Sequence, residues 1–402
     1  MSLANNLNTG PLLGLRILDL TRILSGPFCT MMLGDMGAEI VKVERPGLGD
    51  DTRAFAPPFQ GEESAYFLSV NRNKKSITLD LKQELAKKIL WRLILSSDVL
   101  VENFRPTALA RLGFSYDAVA ARNPKLIYGS ISGFGDTGPE SSRPGYDLIV
   151  QGESGMMDIT GDPDGPPTKM GTSIADMVAG MMLSQGILAA LHSRSVTGKG
   201  QHVKVSMLEA LASLLTYQAG NYYATGVSPK RRGNAHPSIV PYETVKAADG
   251  WVNISVANDS LWIKFCEAIG KEDWKKHPHF STAPDRVRNR DELMSLLTDV
   301  LKKKDRAYWI DILKSYGVPC GSIAQVDEIC ESATLKARNM IWEMEHKTAG
   351  QVRTIGNPIV FTETALGTPN APPLLGEHTE LILTDLGYSK EEITKMKKSA
   401  LF

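Results

Sequence analysis

Asp176 stands in the opening turn of an apolar helical pattern, in Gly171-Thr172-Ser173-Ile174-Ala175-Asp176-Met177, ahead of Val178, Met181, Met182, Ile187 and Leu188. A carboxylate there is favoured by the helix dipole and by unpaired backbone N–H groups, which keep it ionised and fit it to act as a nucleophile at neutral pH. The same position suits a simple helix cap, and the segment alone leaves both roles open. Met177, Met181 and Met182 read as core. Cys29 is a second candidate nucleophile, but it lies in an apolar helix with no histidine near it in sequence, the setting of a buried, inert thiol. His277 and His279 are too isolated to suggest a metal site. His236, in Gly233-Asn234-Ala235-His236-Pro237, sits in a loop of unusual composition.

Lys plus Arg equal Asp plus Glu at 45 each, so no global field steers the chain toward nucleic acid or a membrane surface. An anionic ligand must be met by local cations. Arg45 follows a strand at residues 39–44, at the carboxyl end where doubly wound sheets take ligands. Arg72, Lys74, Lys75 and Lys82 come next at positions that read as loop, and Arg105 and Arg111 flank Asn103-Phe104; together they could converge on a phosphorylated nucleotide. The turn Thr21-Arg22-Ile23-Leu24-Ser25-Gly26-Pro27 lacks GxGxxG, and no GxxxxGK[ST] occurs, which disfavours an NAD or FAD enzyme and a P-loop ATPase.

These residues need a scaffold, and the chain supplies a repeating one. Residues 15–20 read as a strand, a helix opened by Gly26-Pro27 stops at Gly37, and residues 39–44 form a second strand. Strands at 98–102 and 126–132 and helices at 83–97, 108–112 and 173–195 continue the alternation, ending in a strand at 201–205. The expectation is an α/β fold with an open, Rossmann-like, mostly parallel sheet. Tyr222, Tyr223, Gly226, Pro229 and Lys230-Arg231-Arg232 read as a linker, followed by a short strand at 251–256 and charged amphipathic helices at 261–316. Residues 369–378 read as a Pro-rich surface excursion before a last helix. The boundaries are 1–220 for the first part of a large domain, 221–325 for linker and small α+β domain, and 326–402 for a C-terminal segment returning to the large domain.

At 402 residues the chain exceeds a single core. Four cysteines without CxxC spacing argue against disulfides and a cysteine-rich zinc site. With no signal-peptide pattern and no unbroken apolar run of about 18 residues, the expected location is the cytoplasm, with no membrane or nucleic-acid partner.

Across nearly its whole length the chain resembles the family III CoA-transferases. The likeness rests on Gly14-Leu15-Arg16, Gly26-Pro27, the run from Gly37 to Gly47, Asn73-Lys74-Lys75-Ser76, the run from Val101 to Pro106, Gly145-Tyr146-Asp147, Gly198-Lys199-Gly200-Gln201 and the run from Pro373 to Thr379. The resemblance implies that Asp176 is the nucleophile and that Ile23, Arg45, Leu79, Lys82, Asn103, Phe104 and Arg111 hold the adenine and phosphates of coenzyme A. It also implies an interlocked, ring-like homodimer, coenzyme A as cosubstrate, no permanently bound cofactor and no metal. A carboxylate suits such a reaction, because an aspartyl anhydride stays as reactive as a thioester whereas a serine ester would not.

Two stretches depart from formyl-CoA transferase, a member of that family. Leu24 replaces a glutamine, and the segment from Asn234 to Tyr242 replaces a glycine-rich loop. Both speak against formyl-CoA and oxalate, and toward a larger dicarboxylate or branched acid, with Leu24, Tyr146, Asp147, His236 and Tyr242 as the substrate pocket and His236 or Tyr242 at the polar end of the acid. Such intermediates also require loops that exclude water and N–H donors for an oxyanion. A related α-methylacyl-CoA racemase would need a histidine where Tyr146 stands, and a phenol with a pKa of about 10 is a poor base at neutral pH. A non-catalytic nucleotide-binding regulatory or assembly protein would keep Arg45 and Lys82 but have no use for Asp176.

Overall fold

The structure, a computed structural model, describes residues 9–398 and 401–402. Its main element is a six-stranded parallel sheet of β1 (Arg16–Asp19), β2 (Glu39–Glu44), β3 (Lys74–Thr78), β4 (Val99–Glu102), β5 (Ile127–Ser132) and β6 (His202–Ser206), in the order β3-β2-β1-β4-β5-β6. That order is doubly wound, with its topological switch between β1 and β4. Alternation along the strands feeds two apolar layers. Ile17, Val99, Val101, Ile127 and Ile131 face α1 (Ser25–Asp35) and the long α4 (Ile174–Thr197), against Leu33, Val178, Leu183 and Ile187. Leu18, Val41, Ile77, Leu100 and Tyr128 face the other way, onto α2 (Glu84–Leu95) through Ile89, Leu90 and Leu93. Helix α3 (Asp147–Glu153) packs against α4 and against α5 (Met207–Ala212).

α4 is long and apolar enough to cross a bilayer by length and composition alone. Here its apolar stripe lies in the sheet core, and Gly198, in the left-handed conformation, ends it. Met181 is exposed rather than core.

Three local readings are corrected. Lys74 and Lys75 belong to strand β3, not to a loop. Tyr222 and Tyr223 lie in helix α6 (Thr216–Thr225), not in a linker. Residues 369–378 are no surface excursion: Pro372 and Pro373 are buried, and the segment closes the exposed edge of the sheet at β3. There the Gly376 N–H donates to Ser76 Oγ at 2.9 Å, the Ser76 N–H to His378 Nδ1 at 3.2 Å, and the His378 N–H to the Ser76 carbonyl at 2.9 Å. Covering an edge strand in this way satisfies backbone groups that would otherwise template aggregation.

Two compact units result. One holds the described residues up to Met156, Met170–Gly220 and Ala333–Phe402; the other holds Met157–Lys169 and Asn221–Ser332. The short segment Met157–Lys169 thus leaves the large unit, to which its sequence position assigns it. The second unit has its own antiparallel sheet of β7 (Tyr242–Lys246), β8 (Trp251–Ser255) and β9 (Cys320–Ser322), ordered β9-β8-β7, and its own core around Trp262, Phe265, Leu293, Leu297 and Leu301.

Candidate active site

The most extensive helix packing in the large unit is α1 against α4. A Cβ at Gly180 would stand 2.5 Å from the Ser25 carbonyl oxygen, so only glycine lets α4 lie on the first turn of α1. One turn earlier, Asp176 comes up against Ser25. It is the third residue of α4, and the cap residue Ser173 makes no side-chain capping bond. The cap is supplied from afar by Asp147, whose Oδ1 accepts the Ala175 N–H at 3.0 Å while Oδ2 accepts from Gln151 Nε2 at 2.7 Å. Asp176 is therefore released from capping.

Its charge state is also not the expected one. Burial, then the negative charge of Asp147, push the Asp176 carboxyl up from 3.8 to about 7, while hydrogen bonds from the Ser25 hydroxyl and backbone N–H pull the other way. The helix dipole, which alone would keep it ionised, is outweighed by desolvation and a like charge. Tyr66 completes the surroundings: burial, then the charges of Asp176 and Asp147, raise it to about 12 against a lowering contribution from Ser173, so it stays a donor. Leu24, Met31 and Val70 form a small apolar wall with Ile23, Phe28, Tyr66 and Met177 packed on it.

The positions singled out for a nucleotide lie just beyond the carboxyl ends of four neighbouring strands. Ile23 follows β1, Arg45 follows β2, Leu79 follows β3, and Asn103 and Phe104 follow β4. Open α/β sheets bind ligands in that crevice. Ile23 has φ 67° and donates its N–H to Asp50 Oδ1 at 3.1 Å. The Phe104 N–H donates at 2.8 Å to Glu102, whose carboxyl burial raises to about 7. Leu79 is 2 % exposed, so its side chain is spent in the core and only its backbone could meet a ligand.

The basic run does not converge on a ligand. Arg72 is held by Asp35 at 2.7 Å, Lys74 by Asp19 at 3.0 Å and Lys75 by Glu39 at 2.7 Å. Arg45 pairs with Asp51 at 3.0 Å, an ion that Arg22 also engages. Among the described residues, Lys82, Arg105 and Arg111 are exposed and their side chains form no ion pair. Cys29 is fully buried and its thiol is pushed far up by burial, so it is no nucleophile.

His236 and Tyr242 belong to the second unit, where their rings lie 5.3 Å apart and Arg290 donates to the His236 carbonyl. Burial lowers the His236 pKa, which keeps the ring neutral. Tyr146 is 61 % exposed. Two residues of the Asp176 environment escape sequence reading. Tyr66 lies on a short helix 110 positions away with no pattern to mark it. Ser25 had a signal, its place at the first helical position after β1.

With this geometry in view, comparison with known proteins is decisive. Residues 12–379 match CoA-transferase family III. The chain belongs to that family. It is similar to succinyl-CoA:glutarate CoA-transferase of Mus musculus, 40 % identical over 96 % of this chain and 89 % of that protein. It is also similar to acetyl-CoA:oxalate CoA-transferase of Acetobacter aceti, 42 % identical over 91 % of this chain and 93 % of that one. A crystal structure of a CAIB/BAIF family protein from Brucella suis superposes with a TM-score of 0.84 at 39 % identity, covering 94 % of this chain and all of the other. These matches support a CoA-transferase over a racemase and over a non-catalytic binding protein.

For a CoA-transferase of this design, two outcomes follow from the raised carboxyl. If Asp176 acts ionised, kcat/KM rises with pH through about 7, and Asp147→Asn, which removes the like charge, moves that midpoint down; an unmoved midpoint would contradict the assignment. The linkage also has a sign. A carboxyl that binds its proton more tightly folded than unfolded loses stability as pH rises from about 4 to about 7, so Asp176→Asn is expected to be more stable than the parent above pH 7, on the order of a few kcal/mol, and no more stable near pH 4. Thermal melts across that range check it.

Proposed function

We propose that Asp176 carries coenzyme A between two acids through covalent intermediates. Its carboxylate attacks the donor thioester carbonyl, forming an acyl anhydride and expelling CoA thiolate. The thiolate attacks Cγ of Asp176, giving an aspartyl-CoA thioester and releasing the donor acid. The acceptor carboxylate attacks the same Cγ, forming a second anhydride and freeing the thiolate, which then takes the new acyl group and restores Asp176. The observation that carries this reading is the raised, partly buried carboxyl of Asp176, uncapped, beside the strand ends of a doubly wound sheet. Partial desolvation makes such a carboxylate a stronger nucleophile than one in water and shields the anhydride from hydrolysis.

Coenzyme A would lie along Ile23, Arg45, Asn103, Phe104 and the backbone at Leu79, with Lys82 and Arg111 as free cations for its phosphates; Leu24, Tyr146 and Asp147 would face the acyl end. The names of the relatives support succinyl-CoA as donor and a dicarboxylic acid such as glutarate as acceptor. The test is direct. Incubated with succinyl-CoA and a panel of acids, the enzyme should make the new acyl-CoA best from dicarboxylates, and Asp176→Asn should lose at least about four orders of magnitude in kcat. Transfer that survives in Asp176→Asn would sink the proposal.

The protein would act as an interlocked homodimer in the cytoplasm, a compartment that suits its four free cysteines. Support for the dimer comes from apolar side chains left exposed on α3, α4 and α6 and beside α5: Leu148, Ile149, Met181, Leu214 and Tyr217. A monomer seldom leaves so many on neighbouring helices. Light scattering should give twice the chain mass at micromolar concentration; the mass of one chain would exclude it.

A further inference from the structure

Both amide hydrogens of Asn103 are committed. Its Oδ1 accepts the Arg22 N–H at 2.8 Å, and its Nδ2 donates to the Arg22 carbonyl at 2.8 Å and to Ser25 Oγ at 3.2 Å. The pairing with both backbone groups of Arg22 fixes which end of the amide is which. A nitrogen that only donates must use an acceptor lone pair of the Ser25 hydroxyl, so the hydroxyl hydrogen stays available for another partner. One turn before Gly180, whose Cα lies against the Ser25 carbonyl, α4 carries Asp176, and the Ser25 hydroxyl and backbone N–H both act to keep that carboxyl ionised. In most doubly wound folds the first helix N–H groups after β1 are kept for a phosphate. Here the first turn of α1 lies against the helix that carries a carboxyl group.

We propose that Ser25 is a further catalytic residue, its hydroxyl and backbone N–H together forming the donor pair for the Asp176 carboxyl group, with Asn103 as the positioning residue that orients the hydroxyl. This inference rests on the covalent role of Asp176. Whenever the thiolate or the acceptor carboxylate attacks Cγ, the C=O electron pair moves onto the oxygen that remains on Asp176, and it returns when the carboxylate or thiolate departs. The oxyanion therefore forms on the residue that the resting enzyme already holds. Half a negative charge per oxygen in the carboxylate becomes a full one in the tetrahedral state, so these hydrogen bonds strengthen where the rate is decided. Nothing has to move between the two roles, because Gly180 locks the Ser25 backbone against α4.

The experiment sets Ser25→Ala, Ser25→Thr and Asp176→Asn side by side with succinyl-CoA and an accepted acid. Ser25→Ala should lower kcat about 10- to 100-fold, since one of two donors remains. Its KM for succinyl-CoA should stay within about two-fold of the parent. The pH midpoint of kcat/KM should rise, because a donor that favours the ionised carboxyl is gone, and Ser25→Thr should restore both kcat and midpoint. If Ser25→Ala melts below the assay temperature, Ser25→Cys, close in size but a weak donor, takes its place with the same expectations. An unchanged kcat and midpoint, or a loss confined to KM, would overturn the inference while an inactive Asp176→Asn leaves the nucleophile standing. An active Asp176→Asn would remove both.

Discussion

The buried carboxylate at the end of β1 is the constraint on which the site depends. Asp19 is wholly buried and accepts from the Thr21 N–H at 2.8 Å, the Thr21 hydroxyl at 2.5 Å and the Thr30 hydroxyl at 2.7 Å, and it faces Lys74 at 3.0 Å. Burial works to raise its pKa, but Lys74, Lys42 and the hydroxyls outweigh it and hold the group ionised. Lys42, equally buried, pairs with Asp50 at 2.8 Å and donates to the Thr21 carbonyl at 2.8 Å. An unpaired charge here would be strongly destabilising, so the chain has few ways to run between β1 and α1. That turn sets Ser25, and Ser25 sets Asp176.

A second tension is built on this frame. Asp147 is needed as the cap of α4, yet its charge opposes the ionisation of Asp176. Ser25 works against both Asp147 and burial. The balance leaves Asp176 near neutrality in pKa, with charged and uncharged forms both populated where the enzyme would work. Stability is given up at the residue proposed to carry the chemistry, a trade common at active sites.

The β1-α1-β2 unit was legible because its signals are local: alternating apolar residues, Pro27 inside the helix start and Gly37 past its end. Asp176 was legible as a residue at the start of a helix for the same reason. β3 was not, since Lys74-Lys75-Ser76 reads as polar until Asp19 and Glu39, 55 and 36 positions away, neutralise the two lysines. The raised carboxyl was hidden likewise, because the cap that replaces Asp176 and the charge that perturbs it both come from Asp147, 28 positions from Ala175. The C-terminal strap over β3 looked like a surface loop because its partners, Ser76 and Thr78, lie some 300 positions away. Family resemblance pointed to a CoA-transferase, which the matches bear out, without revealing these couplings.

The central claim is that an acyl group resides on Asp176 in an anhydride. Its most direct measurement uses acceptor acid carrying 18O in both carboxylate oxygens, turned over with donor acyl-CoA, followed by peptide mass spectrometry of the enzyme. When thiolate cleaves the second anhydride at the acyl carbon, the bridging oxygen stays behind, so the peptide containing Asp176 should gain 18O at that residue. Turnover that leaves Asp176 unlabelled would contradict the account.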